Sequence, residues 1–352
     1  MRIAQVAPLF ESVPPKAYGG TERVVHFLTE ELVRLGHDVT LFASGDSVTS
    51  ARLLPMCEQS LRLSREPLDG LADHVCMVEN VVQRAAEFDI VHFHIDHLHF
   101  PISRALSLPQ MTTLHGRLDL RNLQRIYDEF ADMPVVSISN SQREPLPQAR
   151  WTGTVYHGLP RDLLPFHPEG GGYFAFVGRI SPEKRVDRAI EIAKALNTPI
   201  RIAAKVDHVD REYFAEQIEP LFDDPLVEYI GEIGDDEKGD FIGNAKALLF
   251  PIDWPEPFGL VLIEAAACGT PVVAFRRGSV PEVVTDGVTG YIVDDVAGAI
   301  EAARSVDQLS RARIREEFES RFTATRMAED YVRVYGALLD SQRDGDCERS
   351  AA

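Results

Sequence analysis

RIAQVAPLFESVPPKAYGGTERVVHFLTEELVRLGHDVTLFA, residues 2–43, decides the fold. Residues 2–7 are short, apolar and partly β-branched, so they read as a strand. A Pro- and Gly-rich loop follows. Thr21 then stands where a helix cap is wanted, and from about 22 to 35 the residues Val25, Leu28, Leu32 and Leu35 fall on one face at helical spacing, with Gly36 as the stop. VTLFA, residues 39–43, is the next strand. A strand, a helix and a second strand in that order form the unit from which parallel sheets are wound.

The alternation continues outward from this stretch. Strands are expected at 90–95 (IVHFHI), 110–114 (QMTTL), 135–139 (VVSIS) and 154–157 (TVYH), which completes one doubly wound domain over 1–157. Residues 158–172, GLPRDLLPFHPEGGG, have no helical period and read as a linker. The pattern then restarts with strands at 173–178, 200–206, 227–231, 247–252, 271–275 and 291–293, giving a second Rossmann-like domain over 173–322. A helix is expected over 323–340, packed back on the first domain, and the polar residues 341–352 are expected to be disordered.

Composition narrows the function. The 352 residues suit two α/β domains. Against 36 Lys plus Arg stand 55 Asp plus Glu, a formal charge of −19, which argues against nucleic acid or an anionic bilayer as a partner. The first helix mixes Glu22, Glu30 and Glu31 with its cations and shows no basic apolar face, so strong membrane association is not expected. Cys57, Cys76, Cys268 and Cys347 match neither a zinc ribbon nor a redox pair, and a reducing cytoplasm fits them best. No apolar run approaches the ~20 residues of a spanning helix.

In open parallel sheets, ligands bind beyond the carboxyl ends of the strands. Two strand-to-helix segments carry the chemistry there. GRISPEK, 178–184, brackets a loop with Arg179 and Lys184, a forked donor and a point charge suited to one diphosphate; a solvated basic pair at a helix start is the bland alternative. In a protein this acidic they make an anion seat with little competition. EPFGLVLIEAAACGTPVVAF, 256–275, places Glu256 in a loop and Glu264 on a helix from about 259 to 268. The NH groups of Phe258, Gly259 and Leu260 form its positive end, which suits a phosphate. Carboxylates accept paired hydrogen bonds from sugar or ribose hydroxyls. Read as an ordinary exposed helix residue, Glu264 sits poorly among Ile263, Ala265, Ala266 and Ala267.

GRISPEK, EPFGLVLIE and CGTPVVAFRRGSVPEVV together resemble glycosyltransferase family 4, and residues 1–45 resemble that family's amino-terminal domain. The resemblance implies a GT-B fold, two Rossmann-like domains facing across a crevice, and a retaining transfer of sugar from a nucleotide donor with no required metal or other cofactor. It implies that Arg179 and Lys184 clasp the diphosphate, that Glu256 holds hydroxyls of the transferred sugar and that Glu264 binds the ribose. Gly19 and Gly20, just before the first helix, match the family's glycine loop, which lets backbone approach the donor. His115 in TLHG matches a histidine near the donor sugar; a loop-packing histidine is the alternative. Arg179, Lys184, Glu256 and His115 are thus the expected catalytic set.

Two positions depart from or only weakly extend the family pattern. Lys205, in IAAKVD, stands where the family usually has a glycine pair, near the expected base or distal phosphate. Ile233 lies where backbone groups often read the base, weak support for uridine. Gly278, Ser279 and Glu282 fall in a further strand-to-helix loop near the donor sugar or simply at a capped helix start. Asp294 and Asp295 are expected to begin a helix rather than hold a cation. HFHIDHLH, 92–99, brings His92, His94, Asp96, His97 and His99 together; acceptor-side or structural roles are expected over a metal, because spacing alone lacks supporting outer ligands.

The opening PLFESVPPKAYGGTE is similar to short bacterial members that glucosylate pteridines. The expectation is therefore hexose, glucose first, moved from a UDP-sugar to a soluble small acceptor. Rival expectations are a nucleotide-sugar epimerase or glycogen-type phosphorylase on the same fold, and a non-catalytic sugar-nucleotide-binding protein. A dehydrogenase is disfavoured because the first strand leads into PLFESVPPKAYGG rather than GxGxxG.

Overall fold

The computed structural model describes residues 1–16, 19–64 and 69–350, the side chains of 342 and 344–350 apart. It comprises two compact units, Met1–Gly158 with Ala324–Ala352, and Leu159–Thr323.

The first unit is built on seven parallel strands: β1 (Arg2–Val6), β2 (Asp38–Ala43), β3 (Arg52–Pro55), β4 (Ile90–Phe93), β5 (Gln110–Thr113), β6 (Pro134–Ser137) and β7 (Arg150–Thr154). Their order is β3-β2-β1-β4-β5-β6-β7. Ile3 lies opposite Val39 on one side and Ile90 on the other, so the first strand is central and its apolar residues are buried on both faces. The helix Gly20–Arg34 covers the sheet with Val24, Val25, Phe27, Leu28 and Leu32. Burying each such side chain contributes about 1.5–3 kcal/mol. The helix starts at Gly20, not after Thr21, and Gly19 precedes it without a side-chain cap. It ends as its sequence requires: Gly36 takes φ +85°, its NH donates to Val33 O at 2.9 Å, and the NH of His37 donates to Leu32 O at 3.1 Å.

Two strands differ from the sequence reading. Arg52–Pro55 was not expected, because a short edge strand with a charge at one end and proline at the other carries little apolar signal. The last strand is Arg150–Thr154 rather than 154–157; it too is half-exposed. The carboxyl-terminal helix belongs to this unit and runs from Ala324 to Ser350, so the backbone is helical through the stretch from 341 that composition marked as disordered. Residues 351–352 of that expected tail lie outside the described residues.

The second unit repeats the plan with β8 (Phe174–Arg179), β9 (Ile200–Lys205), β10 (Val227–Gly231), β11 (Ala247–Phe250), β12 (Val272–Phe275) and β13 (Gly290–Val293). The order is β10-β9-β8-β11-β12-β13, again all parallel. Phe174, Phe176, Ile190, Ile200, Ile202, Leu249, Val273 and Phe275 form its core. Asp295 caps the helix Val296–Ser305, accepting from the NH of Gly298 at 2.8 Å. Residues 160–172 form neither helix nor strand. Among the described residues no helix is long and apolar enough to cross a membrane.

Candidate functional site

The strand order reverses between β8 and β11, and ligands of such sheets settle where the loops after those two strands part. Lys184 sits in the loop after β8 and Glu256 in the loop after β11. Although 72 positions apart, Lys184 Nζ lies 2.5 Å from Glu256 Oε2. Trp254 Nε1 donates to the same oxygen at 3.0 Å, and the ammonium stands 4.9 Å from the centroid of the Trp254 ring. The two loops are also tied through backbone, the NH of Asp253 donating to Glu183 O at 2.8 Å.

A third loop, after β12, fixes the Glu256 backbone. The NH of Ser279 donates to Glu256 O at 2.9 Å, and Ser279 Oγ donates to Phe258 O at 2.9 Å. Ser279 therefore does not cap the helix Val280–Val283, as the simpler expectation had it; its hydroxyl is used on the neighbouring loop. Gly278 has φ +52°, and a Cβ there would stand 2.4 Å from both N and O of Glu256. Only glycine admits that approach. Glu282 contributes its backbone carbonyl to the Arg321 guanidinium at 2.6 Å.

Arg179, the last residue of β8, is surrounded by acid. It pairs with Glu183, and it lies 3.6 Å from Asp207 and 3.4 Å from Asp210. Lys205, ending β9, reaches Asp207 at 3.0 Å. The expected anion seat with little competition is corrected here: loops at the ends of adjacent strands bring their own carboxylates. Burial pushes the Asp207 carboxyl up, but Lys205 and Arg179 outweigh it and hold the group below the usual range. At Asp210 burial prevails over Arg179 and the carboxyl is pushed up, with Glu183 and Asp207 adding to the push. Gly259, at φ +80°, precedes the helix Leu260–Cys268 with no side-chain cap, and its carbonyl accepts from the NH of Leu262 at 2.9 Å. Phe258 is buried beside it.

Glu264 on that helix is 4% exposed, which rules out the surface role. Its Oε1 accepts from Lys238 Nζ at 3.0 Å, and Lys238 also lies 3.3 Å from Asp235. Lys238 belongs to the helix Asp235–Gly243, and no motif in the sequence singles it out. Removing one member of a pair this well buried takes away much of the compensation of the other charge, so Lys238→Met should destabilise the protein by about 3 kcal/mol. Urea unfolding at neutral pH measures this; an unchanged midpoint would show that Glu264 does not need its lysine. Ile233 lies half-buried beyond β10.

In the first unit, Gly19 has extended backbone and is packed tightly: a Cβ would meet Pro15 Cβ at 2.7 Å and Glu22 Oε2 at 3.2 Å. Gly20 is the first helical residue rather than part of the loop. His115 follows β5, its Nε2 2.8 Å from His94 Nδ1 and its ring stacked at 5.3 Å on His157. Burial pushes its imidazole down to about 3. His92 and His99 are engaged by uncharged partners. His92 Nε2 is 2.7 Å from Thr113 Oγ1 and its Nδ1 is 2.8 Å from Tyr335 Oη, while His99 bridges Ser103 and Thr112 and stacks on Phe93.

Residues 165–324 match the family model described as Glycosyl transferases group 1, and residues 18–144 match the one described as Glycosyltransferase Family 4. A glycogen synthase of Mycobacterium tuberculosis is 23% identical over 384 residues, spanning 91% of this chain and 92% of its own. The N-acetyl-alpha-D-glucosaminyl L-malate synthase of Bacillus anthracis is 24% identical over 376 residues, covering 93% of this chain and 96% of its own. The chain is a glycosyltransferase with the GT-B fold. Anabaena HepE, solved in complex with UDP-glucose, superposes with a TM-score of 0.73 at 17% identity, over 96% of this chain and 100% of that one.

Within the glycosyltransferase, the second unit thus joins Lys184, Glu256 and the loop of Gly278 and Ser279 in one place, and Arg179 and Lys205 in another that shares Asp207. Glu264, on the helix that begins beside Phe258 and Gly259, pairs with Lys238 of the helix Asp235–Gly243. Sequence reasoning missed Lys238, Trp254 and the acidic ring around Arg179. Trp254, two positions before Glu256, was the one with a usable signal.

Proposed function

We propose that this glycosyltransferase moves glucose from UDP-glucose to a soluble small-molecule acceptor in the cytoplasm, with retention at the anomeric carbon and without a metal. The observation that carries the reading is the Lys184–Glu256 pair at the strand-order reversal, and the nearby start of the helix Leu260–Cys268 supports it, because a helix amino terminus favours a phosphate. The second unit takes the donor. Arg179 and Lys184 bind the diphosphate and stabilise it as it departs, the role a metal fills elsewhere. Lys205 adds charge at the distal phosphate or base, backbone near Ile233 meets uracil, Glu264 accepts from the ribose, and Glu256 accepts from hydroxyls of the transferred sugar. The first unit takes the acceptor; its Gly19 and Gly20 allow backbone to approach the donor, and His115 contacts the donor sugar. The departing phosphate helps remove the acceptor proton on the same face.

The acceptor we favour is a reduced pteridine, on the likeness of residues 8–22 to pteridine glucosyltransferases. The test is an array of UDP-sugars and soluble acceptors, tetrahydropterins among them, in EDTA, read by UDP release and by the anomeric proton coupling of the product. An α-glucoside formed in EDTA is expected. A β-product overturns retention, and an isomerised sugar nucleotide without UDP release overturns transfer.

A further inference from the structure

Trp254 lies between two groups brought from distant parts of the chain, and it holds each by a different part of its indole. Nε1 can only donate, and it donates to Glu256 Oε2 at 3.0 Å. The ring face lies 4.9 Å from Lys184 Nζ, within the distance at which an ammonium is drawn to an indole, and Phe250 offers a second face at 5.7 Å. Lys184 shares the same carboxylate oxygen at 2.5 Å. Both donors therefore sit on Oε2, and among the described residues none reaches Oε1. The segment that carries the indole is pinned on either side of it. The NH of Asp253 donates to Glu183 O at 2.8 Å, Arg188 reaches the Asp253 carboxylate at 3.0 Å, and the NH of Glu256 donates to Trp254 O at 2.9 Å.

We propose that Trp254 is a positioning residue with two separable tasks. Its N–H turns the Glu256 carboxylate so that Oε1 is left over as an acceptor. Its ring holds the Lys184 ammonium by charge–quadrupole attraction, which occupies no particular N–H, so that only one of the three ammonium hydrogens is committed to Glu256. The inference rests on the reading of Lys184 as a diphosphate contact and Glu256 as a sugar contact, and it adds the residue that sets both. A packing role alone would show in stability and would not distinguish one ligand from another. The two tasks do distinguish them, because UDP carries the diphosphate without the transferred sugar. Losing the N–H should therefore be felt by UDP-glucose and hardly by UDP, whereas losing the ring should be felt by both.

The test compares the affinities of UDP and UDP-glucose by calorimetry and follows the indole N–H by NMR. Trp254→Phe keeps a ring face and removes the donor. It should leave UDP affinity within about twofold of wild type and weaken UDP-glucose about tenfold, the worth of one hydrogen bond to a charged group. Trp254→Leu removes the face as well, and UDP itself should then bind about fivefold more weakly. The chain has two tryptophans, so two indole N–H signals are expected, and Trp151→Phe identifies that of Trp254. In Glu256→Gln the Trp254 signal should move upfield, while that of Trp151, whose N–H donates to Leu146 O, stays in place. An unmoved Trp254 signal, or UDP and UDP-glucose affected alike in Trp254→Phe, overturns the proposal. Should Trp254→Leu fail to fold, Trp254→Phe and the spectrum still decide. If the wild type binds neither nucleotide, the donor reading fails and takes the ligand roles with it, while the indole signal, which needs no ligand, still decides whether Trp254 orders the pair.

Discussion

Glu256→Gln should lower sugar transfer at least about 100-fold while the protein stays folded. The carboxylate is 9% exposed, held by Lys184 at 2.5 Å and by Trp254 at 3.0 Å, and its backbone is clamped by Ser279. The amide keeps the shape and an oxygen for Trp254, but it loses the charge that balances the ammonium and that we propose grips the sugar hydroxyls. Stability will suffer as well, since breaking a buried pair costs about 3–5 kcal/mol in the fully buried limit. That limit is not reached here. Lys184 is 20% exposed and keeps the Trp254 face at 4.9 Å. Lys184→Met combined with Glu256→Gln removes the stranded ammonium and should recover much of the lost stability but none of the transfer. Urea midpoints and initial rates on the same samples separate the two effects. Transfer by Glu256→Gln within threefold of wild type would remove the carboxylate from the reaction.

Acid should unfold this protein early, before the carboxylates that are held below their usual range titrate. Burial pushes His92, His94, His99 and His157 well below their ordinary range and His115 down to about 3. In the unfolded chain an imidazole titrates near ~6.5. Between those values the unfolded state binds protons that the folded state refuses, so stability falls as pH drops through that window and is fully present only above it. His115 alone accounts for about 2 kcal/mol lost by a pH of about 5. Glu30, Asp46, Glu183 and Asp207 are held below the usual carboxylate range, and their contributions fail only at more acid pH. Urea midpoints compared between about pH 7.5 and pH 5 should therefore fall steeply. A flat profile above pH 5 would mean that the buried histidines accept protons in the folded state.

The strands at the centre of both sheets were legible because burial on two faces leaves an unmistakable apolar run, as in FAFVG and VVAF. Edge elements were not: RLLP and RWTGT face solvent on part of their surface, and the pattern that betrays a buried strand is absent there. The carboxyl-terminal helix shows the opposite failure. Its polar end carries no packing signal, yet the backbone stays helical to Ser350. At the site, Arg179, Lys184, Glu256 and Glu264 were readable from loop chemistry and family likeness. Their partners were not. Lys238 reaches Glu264 from another helix, and Asp207 and Asp210 reach Arg179 from the loop after β9, by contacts that depend on sheet order rather than on spacing along the chain.

Calorimetric titration of UDP into the wild type and into Lys184→Met, both in EDTA, bears most directly on the donor site of the second unit. UDP should bind the wild type, and the loss of one charged hydrogen-bond donor should weaken it about 10- to 100-fold. Absence of UDP binding to the wild type, or equal affinity in the two proteins, would contradict the assignment of Lys184 to the diphosphate.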